Sequence, residues 1–151
     1  MKILMVCLGN ICRSPMAEGV LRHLAQQRGI HIEVDSAGTA DYHVGDAPDK
    51  RARTATQRKG ISIEHLRGRQ VEMADFARFD LLLAMDKSNH SDLLQLAPDD
   101  ASKEKVKLMM AFANKTSTGE VPDPYYGPDE GFDETFALLE NACNGLLDAI
   151  A

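Results

Sequence analysis

Near the start of the 151-residue chain, two cysteines, an arginine and a serine stand together in Cys7-Leu8-Gly9-Asn10-Ile11-Cys12-Arg13-Ser14. Cys7 follows an apolar run, Ile3 to Val6, with the length and character of a short buried strand. Arg13 and Ser14 precede Pro15-Met16-Ala17-Glu18, which reads as the first turn of a helix, with proline where its missing N–H costs little. Between them, Gly9 and Asn10 are residue types that accept positive φ. Such a loop can turn its N–H groups inward. With a helix N-terminus and a guanidinium it forms a site for a tetrahedral dianion such as phosphate. The same positive features favour an anionic sulfur, and Ser14 adds a hydroxyl donor for it. A nucleophilic sulfur at the floor of a phosphate cradle is the chemistry of a cysteine-dependent phosphatase. A cysteine ending a buried strand can also be an inert small hydrophobe, but the strand–loop–helix setting favours the site.

The rest of the chain supplies elements able to position that loop. Met16, Val20, Leu21 and Leu24 recur at helical spacing and Gly29 stops the helix. Ile30 to Val34 alternates as a second strand, ended by Asp35-Ser36-Ala37-Gly38. After a loop from Thr39 to Pro48, Asp49 to Lys59 suits a surface helix closed by Gly60. Its basic cluster of Lys50, Arg51, Arg53, Arg58 and Lys59 reads as a solvated face, with partner docking the alternative. Glu72 to Phe79 suggests a short helical turn. Asp80 to Met85 is a strand buried on both faces, Ser88 to Leu96 a helix ended by Pro98, and Val106 to Met110 a weaker fourth strand. Ala113 to Pro128, rich in Gly and Pro, reads as a long functional loop. Phe132, Phe136, Leu139, Cys143, Leu146, Leu147 and Ile150 repeat at threes and fours as a final amphipathic helix. Strands alternating with helices imply a parallel α/β sheet covered on both faces, whose ligands bind beyond the carboxyl ends of the strands. Cys7, Ser36 and Met85-Asp86 all fall at such ends.

Composition narrows the function. The length suits one domain spanning 1–151, and 44% hydrophobic with 26% charged residues is ordinary for a globular protein. With 17 basic and 23 acidic side chains, the net charge of −6 argues against nucleic acid as a partner. No run approaches a membrane span, and no targeting segment stands out, so the cytoplasm is the expected compartment. Three cysteines do not make a secreted disulfide framework, and the five histidines lack metal-ligand spacing.

Cys7 to Ser14 continuing into Pro15-Met16-Ala17-Glu18 resembles the signature loop of the low-molecular-weight protein tyrosine phosphatases. Asp123-Pro124-Tyr125-Tyr126-Gly127 resembles their general-acid loop, and Asp35-Ser36-Ala37-Gly38-Thr39 and Met85-Asp86-Lys87-Ser88-Asn89 match in kind and order. The likeness covers essentially the whole chain. It implies a four-stranded, Rossmann-like twisted parallel sheet. It also implies hydrolysis of phosphotyrosine through a phosphocysteine on Cys7. In that reading Arg13 holds two equatorial oxygens, and Asp123 protonates the leaving phenolate and later activates water. Taken alone, Asp123-Pro124 is only a turn signal. The resemblance further implies a network of Asn10, Ser36 and His65 bracing the loop, and Asp86 fixing Arg13. On residues alone, His65 is an anonymous surface histidine. Tyr42, Tyr125 and Tyr126, with Leu8 and Ile11, would form an apolar slot deep enough for phosphotyrosine, although loop tyrosines need no such role. No cofactor or metal is implied. A phosphotyrosine protein is the expected partner, and phosphate and vanadate are the expected inhibitory oxyanions. Cys12 is either a redox partner for Cys7 or a small residue under the loop.

Three other functions compete. An arsenate reductase on the same fold needs two relay cysteines beyond the nucleophile, and Cys143 reads as core. A protein-arginine phosphatase of this family tends to carry threonine at the place of Ile11 and to lack paired tyrosines. A simple phosphate-binding module would have no use for both Cys7 and Asp123.

Overall fold

The computed structural model describes residues 1–113 and 119–150. Strands β1 (Lys2–Cys7), β2 (Glu33–Gly38), β3 (Leu81–Ala84) and β4 (Val106–Leu108) form one sheet in the order β2-β1-β3-β4, every neighbouring pair parallel. Parallel neighbours require crossover connections. Helix α1 (Arg13–Arg28) joins β1 to β2. Helices α2 (Lys50–Gln57) and α3 (Asp75–Arg78) lie between β2 and β3, and α4 (Lys87–Leu96) and α5 (Asp100–Glu104) between β3 and β4. A 3₁₀ turn (Met109–Phe112) and the long α6 (Glu130–Ile150) complete the chain. The expected single α/β domain with a four-stranded parallel sheet is thus observed.

The sequence of β1 reflects burial on both faces. Ile3, Met5 and Cys7 join the core built with α1 and α6, while Leu4 and Val6 join the one built with Phe76, Phe79 and Leu93. That requirement makes the strand a continuous apolar run rather than an alternating one. From β1 the chain first winds to β2 on one side and later to β3 on the other. The carboxyl end of β1 is therefore the switch point where such sheets open a crevice. Cys7 is its last residue.

Several elements differ from the sequence reading. The second strand is Glu33–Gly38 rather than Ile30 to Val34, so the residues expected to end it form most of it. Pairing of Lys2 with Glu33 through Cys7 with Gly38 fixes this register. The polar side chains tolerate it because Arg69 bonds Asp35, and Ser36 bonds Glu18. Gly38 is needed there, since a Cβ would stand 2.7 Å from the Leu8 carbonyl oxygen. The fourth strand stops at Leu108, and Met109 and Met110 turn into the 3₁₀ segment. Helix α2 stops at Gln57, with Asp49 as its N-cap. Helix α5 was not anticipated in the Pro98-Asp99-Asp100 stretch, where the Asp99 side chain caps it by accepting from the Ser102 N–H. Residues 114–118 of the expected long loop lie outside the described residues.

Candidate active site

Helix α1 begins at Arg13 with Cys12 as its N-cap and no side-chain cap, so its first N–H groups are left for whatever the loop holds. Asn10 sits at φ 58°, the left-handed conformation that asparagine accepts more readily than most residues. This turns its N–H onto Cys7 Sγ at 3.2 Å. Ser14 Oγ lies 3.0 Å from the same sulfur.

Behind the sulfur, a buried chain of hydrogen bonds has only one consistent direction. The Ser36 hydroxyl donates to Glu18 Oε1 at 2.7 Å, and its oxygen accepts from Asn10 Nδ2 at 3.0 Å. Asn10 Nδ2 gives its second hydrogen to Ser14 Oγ at 2.8 Å. The Ser14 oxygen is thereby an acceptor toward Asn10, and its own proton is free to point at Cys7. Asn10 Oδ1 accepts from the Arg69 N–H at 3.0 Å. Glu18 is almost fully buried. Burial pushes its carboxyl up, partly countered by bonds from Arg22 and Ser36.

Arg13, 3% exposed, donates through NH1 to Asp86 Oδ2 at 2.7 Å and to the Val121 carbonyl at 3.0 Å. Asp86 is itself fixed as the N-cap of α4, accepting from the Asn89 N–H at 2.8 Å. Burial disfavours the guanidinium charge, but Cys7, Asp86 and Asp123 more than offset this and raise its pKa. Cys12 behaves in the opposite way to a nucleophile. Burial, reinforced by Asp49, Cys7 and Asp123, pushes its thiol far up and keeps it neutral.

Across the cleft, Asp123 is 39% exposed, with Oδ2 3.8 Å from Arg13 NH2 and Oδ1 accepting from the Tyr125 N–H at 3.1 Å. Tyr125 and Tyr126 meet edge to face, centroids 4.9 Å apart. Tyr126 and Tyr42 are 92% and 72% exposed. These three tyrosines, with Leu8, Gly9 and Ile11, wall a cleft that has Cys7, Cys12 and Arg13 at its base.

A comparison with known proteins settles the family. The family model described as low molecular weight phosphotyrosine protein phosphatase matches residues 2–151. The chain belongs to that family. A Synechocystis protein named for this phosphatase family is 45% identical over 99% of this chain and 96% of that one. The human low molecular weight phosphotyrosine protein phosphatase is 38% identical over 97% and 93%. The crystal structure of a protein tyrosine phosphatase from Entamoeba histolytica superposes with a TM-score of 0.95 at 41% identity, covering 99% of this chain and 96% of that one. The protein is a hydrolase of the protein-tyrosine-phosphatase type.

Within the phosphatase, Cys7 to Ser14, Ser36, Asp86, Tyr42, Asp123, Tyr125 and Tyr126 come together as the sequence suggested. His65 does not join them. It is exposed on a turn, and the acceptor for the Ser36 hydroxyl is Glu18. A buried acid one turn into α1 serves here because its carboxylate is also anchored by Arg22 at 2.6 Å. Sequence reasoning gave no role to Glu18, Arg69 or the Val121 carbonyl. The glutamate four residues past Ser14, on a helix otherwise buried at that end, was the available signal. His43, also without a role in the sequence reading, lines the cleft beside Tyr42 and contacts Asp46 at 3.1 Å.

Proposed function

We propose that residues 1–151 act as one phosphatase domain that hydrolyses phosphotyrosine in proteins in two steps. In the first, the Cys7 sulfur bonds to phosphorus as the bond to the tyrosine oxygen breaks. The Asp123 carboxyl group gives its proton to that oxygen. In the second, a water oxygen attacks phosphorus and displaces the sulfur, with the Asp123 carboxylate taking the water proton. Arg13 NH1 is committed to Asp86 and Val121, which leaves Nε and NH2 to hold two phosphate oxygens in the fork geometry that guanidinium provides. The tyrosine ring occupies the slot among Tyr42, Tyr125 and Tyr126. A phosphoserine side chain is too short to pass that slot and reach the sulfur.

One observation carries the reading. Cys7 Sγ receives the Asn10 N–H and the Ser14 hydroxyl from one side, while Asp123 faces the same cleft from another loop. Hepes, a sulfonate, is described in the active site of the Entamoeba histolytica relative, in keeping with an oxyanion cradle. Phosphate and vanadate therefore compete with substrate. Recognition by N–H groups and Arg13 calls for no metal, so turnover persists in EDTA. Cys143 is fully buried in α6 and offers no accessible relay thiol for arsenate reduction. All three cysteines are free, and a thiol nucleophile suits a reducing compartment, so we place the enzyme in the cytoplasm. Among the described residues, no helix is long and apolar enough to cross a membrane.

The test is acid quenching during turnover of a phosphotyrosine peptide, followed by mass spectrometry. Phosphate should be found on Cys7, and Cys7→Ser should yield neither phosphoenzyme nor turnover. Phosphate on another residue, or residual turnover by Cys7→Ser, would overturn the mechanism.

A further inference from the structure

Asp123 stands on an exposed loop, yet a general acid must be held close to the bond it protonates. The N-cap of α2, Asp49, and Arg51 in its first turn join that loop to the phosphate loop. The Asp49 N–H donates to the Ile11 carbonyl at 2.8 Å, which pins the start of α2 to the cradle. Asp49 Oδ1 accepts from the Arg51 N–H at 2.8 Å and from Arg51 Nε at 3.1 Å, and Oδ2 accepts from NH2 at 3.2 Å. Burial pushes the Asp49 carboxyl up, but the bonds from Arg51 and the Ala52 N–H prevail and hold it below the usual carboxylate range. The pair therefore stays ionised at neutral pH.

From this anchor the guanidinium reaches the acid loop. Arg51 NH2 donates to the Tyr125 carbonyl at 2.9 Å and NH1 to that of Gly127 at 3.5 Å. Its carbon lies 5.5 Å from the Tyr125 ring centroid and 4.6 Å from that of Phe132 at the start of α6. Tyr125 in turn holds Asp123 through its N–H, and Asp123 faces Arg13. Ile11, Asp49, Arg51, Tyr125, Asp123 and Arg13 thus form a closed circuit that begins and ends in the phosphate loop. Arg51 belongs to the basic cluster that reads from sequence as a solvated face, but its guanidinium, though partly exposed, is engaged by Asp49 and the acid loop.

We infer that Arg51 is a positioning residue for the general acid, setting the gap between Asp123 and the phosphate loop through Tyr125. The inference rests on Asp123 being the acid. Lysine cannot replace it, because one ammonium lacks the planar fork that bonds Asp49 and the Tyr125 carbonyl together while stacking on two rings.

The experiment measures kcat/KM of Arg51→Ala, Arg51→Lys, Asp123→Ala and the Arg51→Ala/Asp123→Ala double variant. Two substrates are used, phosphotyrosine and an aryl phosphate with a far better leaving group, and the vanadate inhibition constant is read for each protein. Arg51→Ala should lose up to about 10²-fold on phosphotyrosine, the scale of a catalytic group misplaced by about 1 Å. The loss should be much smaller with the good leaving group, and Arg51→Lys should not rescue. The vanadate constant, which reads the cradle alone, should not move. In the Asp123→Ala background Arg51→Ala should add nothing, because the group it positions is gone. Equal losses on both substrates, losses that multiply in the double variant, a shifted vanadate constant or no loss at all would each overturn the role of Arg51. Those outcomes leave the acid assignment standing if Asp123→Ala alone depends on the leaving group. If it does not, both fall.

Discussion

The floor and the walls of the cleft are built on opposite terms. At the floor, Cys7, Asn10, Ser14 and Arg13 are buried and each has at least two hydrogen-bond partners, those of Cys7 and Ser14 within the loop and those of Asn10 and Arg13 reaching Ser36, Arg69, Asp86 and Val121. On the walls, Tyr42 and Tyr126 are largely exposed, and Asp123 keeps its place through one backbone N–H and a 3.8 Å approach to Arg13. The phosphoryl dianion is the same in every substrate, so a preorganised set of donors serves all of them without reorganisation during reaction. The polypeptide around a phosphotyrosine varies, and exposed rings can adapt to it. Rigidity lies where the chemistry is constant, and exposure where the partner changes.

That contrast can be broken at the floor first. Asn10→Ala removes three side-chain hydrogen bonds and leaves at φ 58° a residue without the local side-chain bonding that lets asparagine adopt it, which adds a part of the ~1–2 kcal/mol cost of the left-handed conformation. Without Asn10, nothing fixes the Ser14 oxygen as an acceptor, so its proton need not point at the sulfur. The expected fall in kcat/KM is on the order of 10²-fold, as for loss of one preorganised donor, and equal for good and poor leaving groups. Asn10→Gly should recover only the conformational part of the lost melting temperature and none of the rate. Full activity in Asn10→Gly would show that the backbone N–H alone suffices.

Oxidation sharpens the contrast within the floor itself. Peroxide should convert Cys7 to a sulfenic acid, which condenses with Cys12 to a disulfide once the Cys12 thiol gives up its proton, the proton and the sulfenic hydroxyl leaving as water. In the wild type, inactivation should be reversed by thiol. In Cys12→Ser a growing fraction should become irreversible with time, as over-oxidation proceeds. Complete thiol recovery of Cys12→Ser would leave Cys12 as a packing residue only.

The smallest effect belongs to the wall. Tyr126→Ala should raise KM for phosphotyrosine peptides by about 3–10-fold, the scale of one aromatic contact, and leave the Asp123 leaving-group dependence intact. A larger loss in kcat than in KM would mean that the exposed ring helps position the acid.

Much of this arrangement was legible in the sequence because it depends on local chemistry. The strand–loop–helix, the apolar β1 and the amphipathic α6 each follow from residues adjacent in the chain. What stayed hidden depends on tertiary partners. Asp35 and Ser36 look like strand-ending residues until Arg69 and Glu18 satisfy them, and so β2 was placed too early. The likeness puts His65 in a network whose acceptor is Glu18, a residue to which position in the first helical turn gives no role until the fold brings Ser36 to it. Arg51 was indistinguishable from its basic neighbours, since only the fold brings the Tyr125 carbonyl and the Phe132 ring to it.

The central claim, a constant floor acting with a separate acid on the wall, is tested most directly by Asp123→Ala. On phosphotyrosine, whose phenolate leaves poorly, kcat/KM should fall by ~10²–10⁴-fold, as for loss of a general acid. On an aryl phosphate whose phenol is a much stronger acid, the fall should shrink markedly, because that oxygen needs no proton. The comparison belongs to kcat/KM, since Asp123 also serves the later hydrolysis of the phosphoenzyme and lowers kcat with either substrate. Equal losses in kcat/KM for the two leaving groups would contradict the account and make Asp123 a structural residue.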